Sequence, residues 1–152
     1  MKILDTNRFL TDIVALAESG KEVITAVSGG SMSPFLIGGR DFAVLKKPFR
    51  KLKKGDIVLF KRSSGNYVLH RIRYIKKDGC YTVGDFQQSI EGPINEQQIC
   101  AIATAVKRNG KWLYPKSLCW KFYATVWLYA VPVRHLILKA SNKLKRKKAK
   151  SQ

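Results

Sequence analysis

The amino-acid sequence predicts a mainly β protein: one antiparallel β domain with a short helix in front and an amphipathic helical segment behind. Three observations carry that expectation. From Glu22 to about Ala105 the chain alternates short apolar runs with Gly, Pro, Asn and Asp. Before this region apolar residues recur at helical spacing, and after it the chain becomes rich in aromatics and then in lysine. At 152 residues and 45% hydrophobic, the chain can bury one ordinary core and does not call for a second.

In order, residues 1–20 form the N-terminal unit. Leu10, Ile13, Val14 and Ala17 lie on one face of a helix running from about Thr6 to Ser19, with Thr6 or Asp5 as N-cap and Gly20 as the stop. Packing against the domain is its expected role. Residues 21–110 form the β domain, with strands at VITAV, FAVL, IVLF, YVLHRIRYI, CYTV and ICAIATAV. Ser63-Ser64-Gly65-Asn66 and Lys77-Asp78-Gly79 read as hairpin connections, because Gly and Asn accept positive φ at little cost. Residues 111–140 form an aromatic-rich helical segment, and 141–152 a basic tail.

The net charge of +19 is unevenly placed. All ten acidic residues fall between Asp5 and Glu96, and the 13 basic residues from position 101 onward have no acid among them. Such a pole attracts an anionic polymer or an anionic membrane surface. The uncharged run Phe122–Val133 has 12 residues with Pro132 inside it, well short of the about 20 that span a bilayer. Trp120, Tyr123, Trp127 and Tyr129 suit the interfacial zone, and the following Lys/Arg cluster suits anionic headgroups. An in-plane anchor on the cytoplasmic side of a membrane is therefore expected. The first 20 residues lack a sustained apolar stretch of the secretory kind, so the chain is expected to begin in the cytosol. Cys80, Cys100 and Cys119 have no CxxC or Cys/His spacing, so the expectation is no disulfide framework, no metal and no cofactor.

The residues that bear chemistry are few. Ser28-Gly29-Gly30-Ser31-Met32-Ser33-Pro34 follows a strand and surrounds Ser31 with small residues, which lets backbone approach a substrate and donate N–H groups. His70 lies in the strand Tyr67-Val68-Leu69-His70-Arg71-Ile72, on the face shared with Val68 and Ile72. A histidine facing a glycine-flanked serine is the pairing that nucleophilic catalysis requires. Gly84-Asp85 ends the strand Tyr81-Thr82-Val83 and Glu91 follows six residues later, so either carboxylate is a candidate to orient the imidazole.

In their order along the chain, Ser31-Met32-Ser33-Pro34, Gly55-Asp56-Ile57-Val58-Leu59-Phe60, Val68-Leu69-His70-Arg71-Ile72 and Thr82-Val83-Gly84-Asp85 resemble the sequence boxes of the type I signal peptidases. The histidine version is similar to the branch of the endoplasmic reticulum and archaea, and to small bacterial relatives without the usual N-terminal membrane span. The resemblance covers roughly residues 23–105. It implies a signal-peptidase/LexA-like antiparallel β fold, Ser31 as nucleophile, His70 as general base, and a substrate lying extended along a sheet edge with small residues before the cut. It leaves the acid open between Asp85 and Glu91. The hydroxyl donor that the family places two residues before the nucleophile is replaced here by Gly29, so an oxyanion hole of backbone groups is expected, with the Ser31 N–H as one donor.

The function implied is a serine endopeptidase acting on a precursor or leader peptide through an acyl-enzyme, with activity rising through about pH 6–7 as the base becomes neutral. Three other readings stand beside it. One is a catalytically inactive membrane-associated scaffold. Another is a basic nucleic-acid-binding module, although no helix-turn-helix or RNA-binding signature is present. The third is a self-cleaving repressor protease, whose family resemblance implies a lysine base and a DNA-binding domain that do not occur here.

Overall fold

The computed structural model of the protein describes residues 6–150. Its centre is an eight-stranded antiparallel sheet: β1 (Val23–Ala26), β2 (Phe42–Lys46), β3 (Ile57–Lys61), β4 (Tyr67–Lys76), β5 (Gly79–Val83), β6 (Glu91–Ile94), β7 (Ile99–Arg108) and β8 (Lys111–Leu113). The strands lie in the order β1-β2-β7-β3-β4-β5-β6, with β8 also on β7. The long β7 is the pivot: β2 runs along one edge, while β3 pairs with its first half and β8 with its last residues.

All six strands expected from the sequence are present, within a residue or two. IVLF is buried at every position, as a continuous apolar run in the middle of a sheet should be. The two hairpins form where expected. Arg62 and Asn66 close the first around Gly65 at φ +90°, and Lys76 pairs with Gly79 across the second. Two strands were not foreseen. β6, with sequence Glu91-Gly92-Pro93-Ile94, contains two residues that usually end strands; it is tolerated because it is the last strand on its side, where a missing N–H has no neighbour to leave unpaired. β8 is only three residues long and carries the sheet beyond the 110 boundary.

Helix α1 (Thr6–Glu18) buries Ile13, Val14 and Ala17, and the chain turns out at Gly20 with φ +85°. Asp5, the alternative cap, lies outside the described residues. This face joins Met32, Phe35 and Leu36 with Ile57 and Leu59 in one core on one side of the sheet. Alternation sends Val58, Phe60 and Ile72 to a second core on the other side, with Ile94 and Ile99.

After β8 the chain is helical: α2 (Leu118–Phe122), a π-helical turn at Tyr123–Trp127, a 3₁₀ turn at Val131–Val133 and α3 (Arg134–Lys150). The basic tail, as far as residue 150, is thus the continuation of α3. Trp120 and Trp127 are buried against the domain, contrary to the expectation that both lie in a membrane interface. Apolar surface on the sheet side of this segment competes for them and excludes water as well as lipid would.

Candidate functional site

Ser31 stands in a loop closed at its base by Val27, whose N–H donates to Asp41 O at 2.9 Å and whose carbonyl accepts from Gly39 N–H at 3.0 Å. Gly29 has φ +72°, and a Cβ on Gly38 would fall 2.3 Å from the Gly29 oxygen, so two strands of the loop pass at a distance only glycine permits. Met32, Phe35 and Leu36 anchor the loop in the core. Arg108 holds its exit through bonds to the carbonyls of Phe35 at 2.8 Å and Pro34 at 3.2 Å.

His70 is 2% exposed and lies in β4 opposite Val58, with the Phe60 ring edge-on at 6.1 Å. The structure brings Ser31 and His70 to one cavity of about 240 Å³. Ser28 and Gln87 give it polar walls, and Leu45, Leu59 and Leu69 apolar ones. Burial pulls the imidazole pKa down to about 4; the negative charge of Glu91 opposes that shift and Arg62 adds to it. His70 is therefore neutral over the whole physiological range. Its buried Nδ1 has no hydrogen-bond partner among the described residues.

The two candidate acids occupy different places, and neither is bonded to His70. Asp85 is fully buried, with both oxygens on Arg71, at 3.0 Å from Nε and 2.9 Å from Nη2. Arg71 also donates to Gly55 O at 3.0 Å and lies over the Phe35 ring. Glu91 is half-buried and takes a bidentate bond from Arg62 at 2.6 and 2.7 Å; that bond holds its carboxyl below the ordinary range despite the opposing effect of burial. Glu91 is the carboxylate whose charge reaches His70. Register puts a third group between them. Thr82 pairs with Ile72 on one side and Glu91 on the other, so His70, Thr82 and Glu91 share one sheet face, His70 two residues along β4 from Ile72. The Thr82 hydroxyl is buried and, like His70 Nδ1, has no partner among the described residues.

The Gly84–Gln87 loop is fastened to the loop that carries Ser31. Phe86 N–H donates to Ser31 O at 2.9 Å, and a Cβ on Gly84 would lie 2.4 Å from the same oxygen. The helical segment holds this loop from behind. Trp127 Nε1 donates to Asp85 O at 2.8 Å, and Arg134 to Gly84 O at 2.8 Å and Gln87 O at 3.1 Å. Arg134 is fully buried, and burial lowers its pKa only to about 10, so it keeps its charge at neutral pH. A second cavity of about 510 Å³ adjoins the first, sharing Arg62 and Gln87, and reaches α3 at His135 and Lys139.

Sequence reasoning missed Thr82, Arg71, Trp127 and Arg134. Arg71 follows His70 directly, and a buried arginine needs an acid; that signal pointed to Asp85 as its partner rather than His70's. Arg134 and Trp127 gave none, because their contacts are to backbone carbonyls some 40–50 positions away. Among the described residues no group of three or more His, Cys, Asp or Glu is placed to hold a metal ion, and the three cysteines are free.

The class of protein these features define is a mainly antiparallel β protein whose helical C-terminal segment braces a cleft containing a serine and a buried neutral histidine. Compared with models of known protein families and with curated proteins, the chain gave no match.

Proposed function

We propose that the protein is a serine endopeptidase with a signal-peptidase-like fold, in which Ser31 is the nucleophile and His70 the general base. The observation that carries this reading is the meeting of Ser31 with a neutral, desolvated His70 in one cavity. A base must be unprotonated to take the hydroxyl proton, and burial supplies that state. Ser31 Oγ then attacks the peptide carbonyl as its proton passes to His70. His70 returns the proton to the leaving amine; it then takes a proton from water, whose oxygen attacks the acyl-enzyme, and passes that proton to the departing Ser31 oxygen.

Glu91 is the acid of this reading, acting on His70 through the Thr82 hydroxyl, whose place on the shared sheet face suits a bridge to Nδ1. Asp85 is a positioning residue: bonded to Arg71, it shapes the loop that fixes Ser31. The Ser31 N–H is one oxyanion donor. Ser28, one position farther back than the family pattern, lines the same cavity and serves as the second. β1 ends the sheet and leaves one edge free, and Thr25, Ala26 and Val27 line the cavity, so an extended precursor peptide can add as a further strand. The paired cavities give room for chain on both sides of the cut.

The test is incubation of the wild type, Ser31→Ala and His70→Ala with peptides carrying small residues before candidate cleavage points, read by mass spectrometry. A defined cut made by the wild type and reduced at least about 10³-fold in both variants is expected. Equal inactivity of all three over the whole panel would sink the reading.

A further inference from the structure

The helical segment after β8 has two faces, and only one is accounted for by packing. Trp120, Trp127, Leu128 and Val131 turn into the protein. On the other side Leu118, Phe122, Val126 and Tyr129, spaced four, four and three residues apart, are exposed at 86, 45, 59 and 63%. Beyond the 3₁₀ turn Leu136 and Ile137 continue the apolar surface at 58 and 46% exposed. Single exposed apolar residues are ordinary, but a run of six on one segment marks an interaction surface.

The chemistry around the ridge identifies its occupant. Lys54 Nζ lies 3.6 Å from the Tyr129 ring centre and Arg73 5.1 Å from it, so basic groups of the turn before β3 and of β4 border the ridge. Past Ile137, α3 carries Lys143, Lys145, Arg146, Lys147 and Lys148, all exposed, and no acidic residue. A folded protein partner would have to match an apolar strip and a long basic helix together. A bilayer with anionic headgroups does so at every point, with acyl chains for the strip and phosphates for the lysines. No helix among the described residues is long and apolar enough to cross a membrane, so docking is in the plane.

We propose that the ridge Leu118–Phe122–Val126–Tyr129, with Leu136 and Ile137, is a docking surface for an anionic lipid bilayer, and that α3 supplies its electrostatic half. This differs from an anchor that includes the tryptophans: both stay in the protein, and Trp127 holds the loop that carries Asp85. The proposal does not depend on peptidase activity.

The test is flotation of the full chain with vesicles of phosphatidylcholine alone and of phosphatidylcholine with one-third phosphatidylglycerol. Wild type is compared with Leu118→Ser/Phe122→Ser/Val126→Ser and with Lys145→Gln/Arg146→Gln/Lys147→Gln/Lys148→Gln. Circular dichroism and melting confirm that each is folded, and surface positions leave that undisturbed. Wild type should partition to the anionic vesicles and hardly to neutral ones, and each variant should lose about tenfold or more. A folded ridge variant that binds like wild type would overturn the proposal. So would binding to duplex DNA that exceeds vesicle binding and survives the ridge substitutions, which would assign the basic helix to nucleic acid.

Discussion

A Cβ on Gly84 would fall 2.4 Å from the carbonyl oxygen of Ser31, the same oxygen that accepts the Phe86 N–H. The loop bearing Asp85 therefore rests directly on the backbone of Ser31. Gly84→Ala should push the two loops apart, costing about 1–3 kcal/mol of stability. Cleavage should fall by more than the lost folded fraction explains. Melting and the rate of peptide cleavage, measured together, check it; wild-type values in both would show that the contact is dispensable.

The pH behaviour follows from the burial of His70. With a pKa of about 4, the acid limb of the cleavage rate should lie near pH 4 rather than at the 6–7 of an ordinary imidazole, with no further gain from pH 6 to 8. Stability has the corresponding sign. Below about pH 6.5 the unfolded chain takes a proton that the folded chain refuses, so stability is lost as pH falls from about 6.5 to 4, by roughly 3 kcal/mol in all. His70→Leu should flatten that loss. Urea denaturation of both proteins at pH 7 and pH 4.5 measures the difference.

The two carboxylates should separate by experiment. Asp85→Asn breaks a buried bidentate pair and leaves Arg71 uncompensated, which costs about 3–5 kcal/mol. Activity and melting temperature should fall together. Glu91→Gln disturbs a partly exposed pair worth about 1 kcal/mol or less, so melting should barely move. Cleavage should nevertheless drop, and its acid limb should shift to lower pH, because the charge that raises the His70 pKa is gone.

Thr82→Val removes a buried hydroxyl that has no partner among the described residues, so stability should hold or rise by up to about 1 kcal/mol. If that hydroxyl bridges Glu91 and His70, cleavage should fall about tenfold or more at unchanged melting temperature. Thr82→Ser, which keeps the hydroxyl, should restore the rate. A Val variant as active as wild type would remove Thr82 from the mechanism.

Arg134→Met deletes charged bonds to three carbonyls, those of Trp127, Gly84 and Gln87; Ala130 N–H and Gln87 N–H still reach the first two, and the Gln87 carbonyl loses its arginine donor. A loss of about 3 kcal/mol is expected, concentrated in the 84–87 loop. Hydrogen exchange at the Phe86 amide, which donates to Ser31, should speed up more than exchange in β3 or β7.

The sequence by itself determined the elements and two members of the site. IVLF and ICAIATAV are short, apolar, rich in β-branched residues and bounded by turn residues, which reads as interior strands; Gly20 and Gly65 stop and turn the chain where positive φ is needed, and the serine loop and the strand histidine stand out by residue type. These are local signals, set by side-chain volume, period and backbone sterics. Tertiary structure alone decided what the polar groups do. Register across β4, β5 and β6 put Thr82 and Glu91 on His70's face and gave Asp85 to Arg71. Folding of the last third onto the sheet buried Trp120 and Trp127 and left Leu118 and Phe122 to solvent. Period alone gives a helix its faces but not which face meets the protein. That choice depends on distant surface, and a buried charge depends on whichever partner the fold brings within about 3 Å.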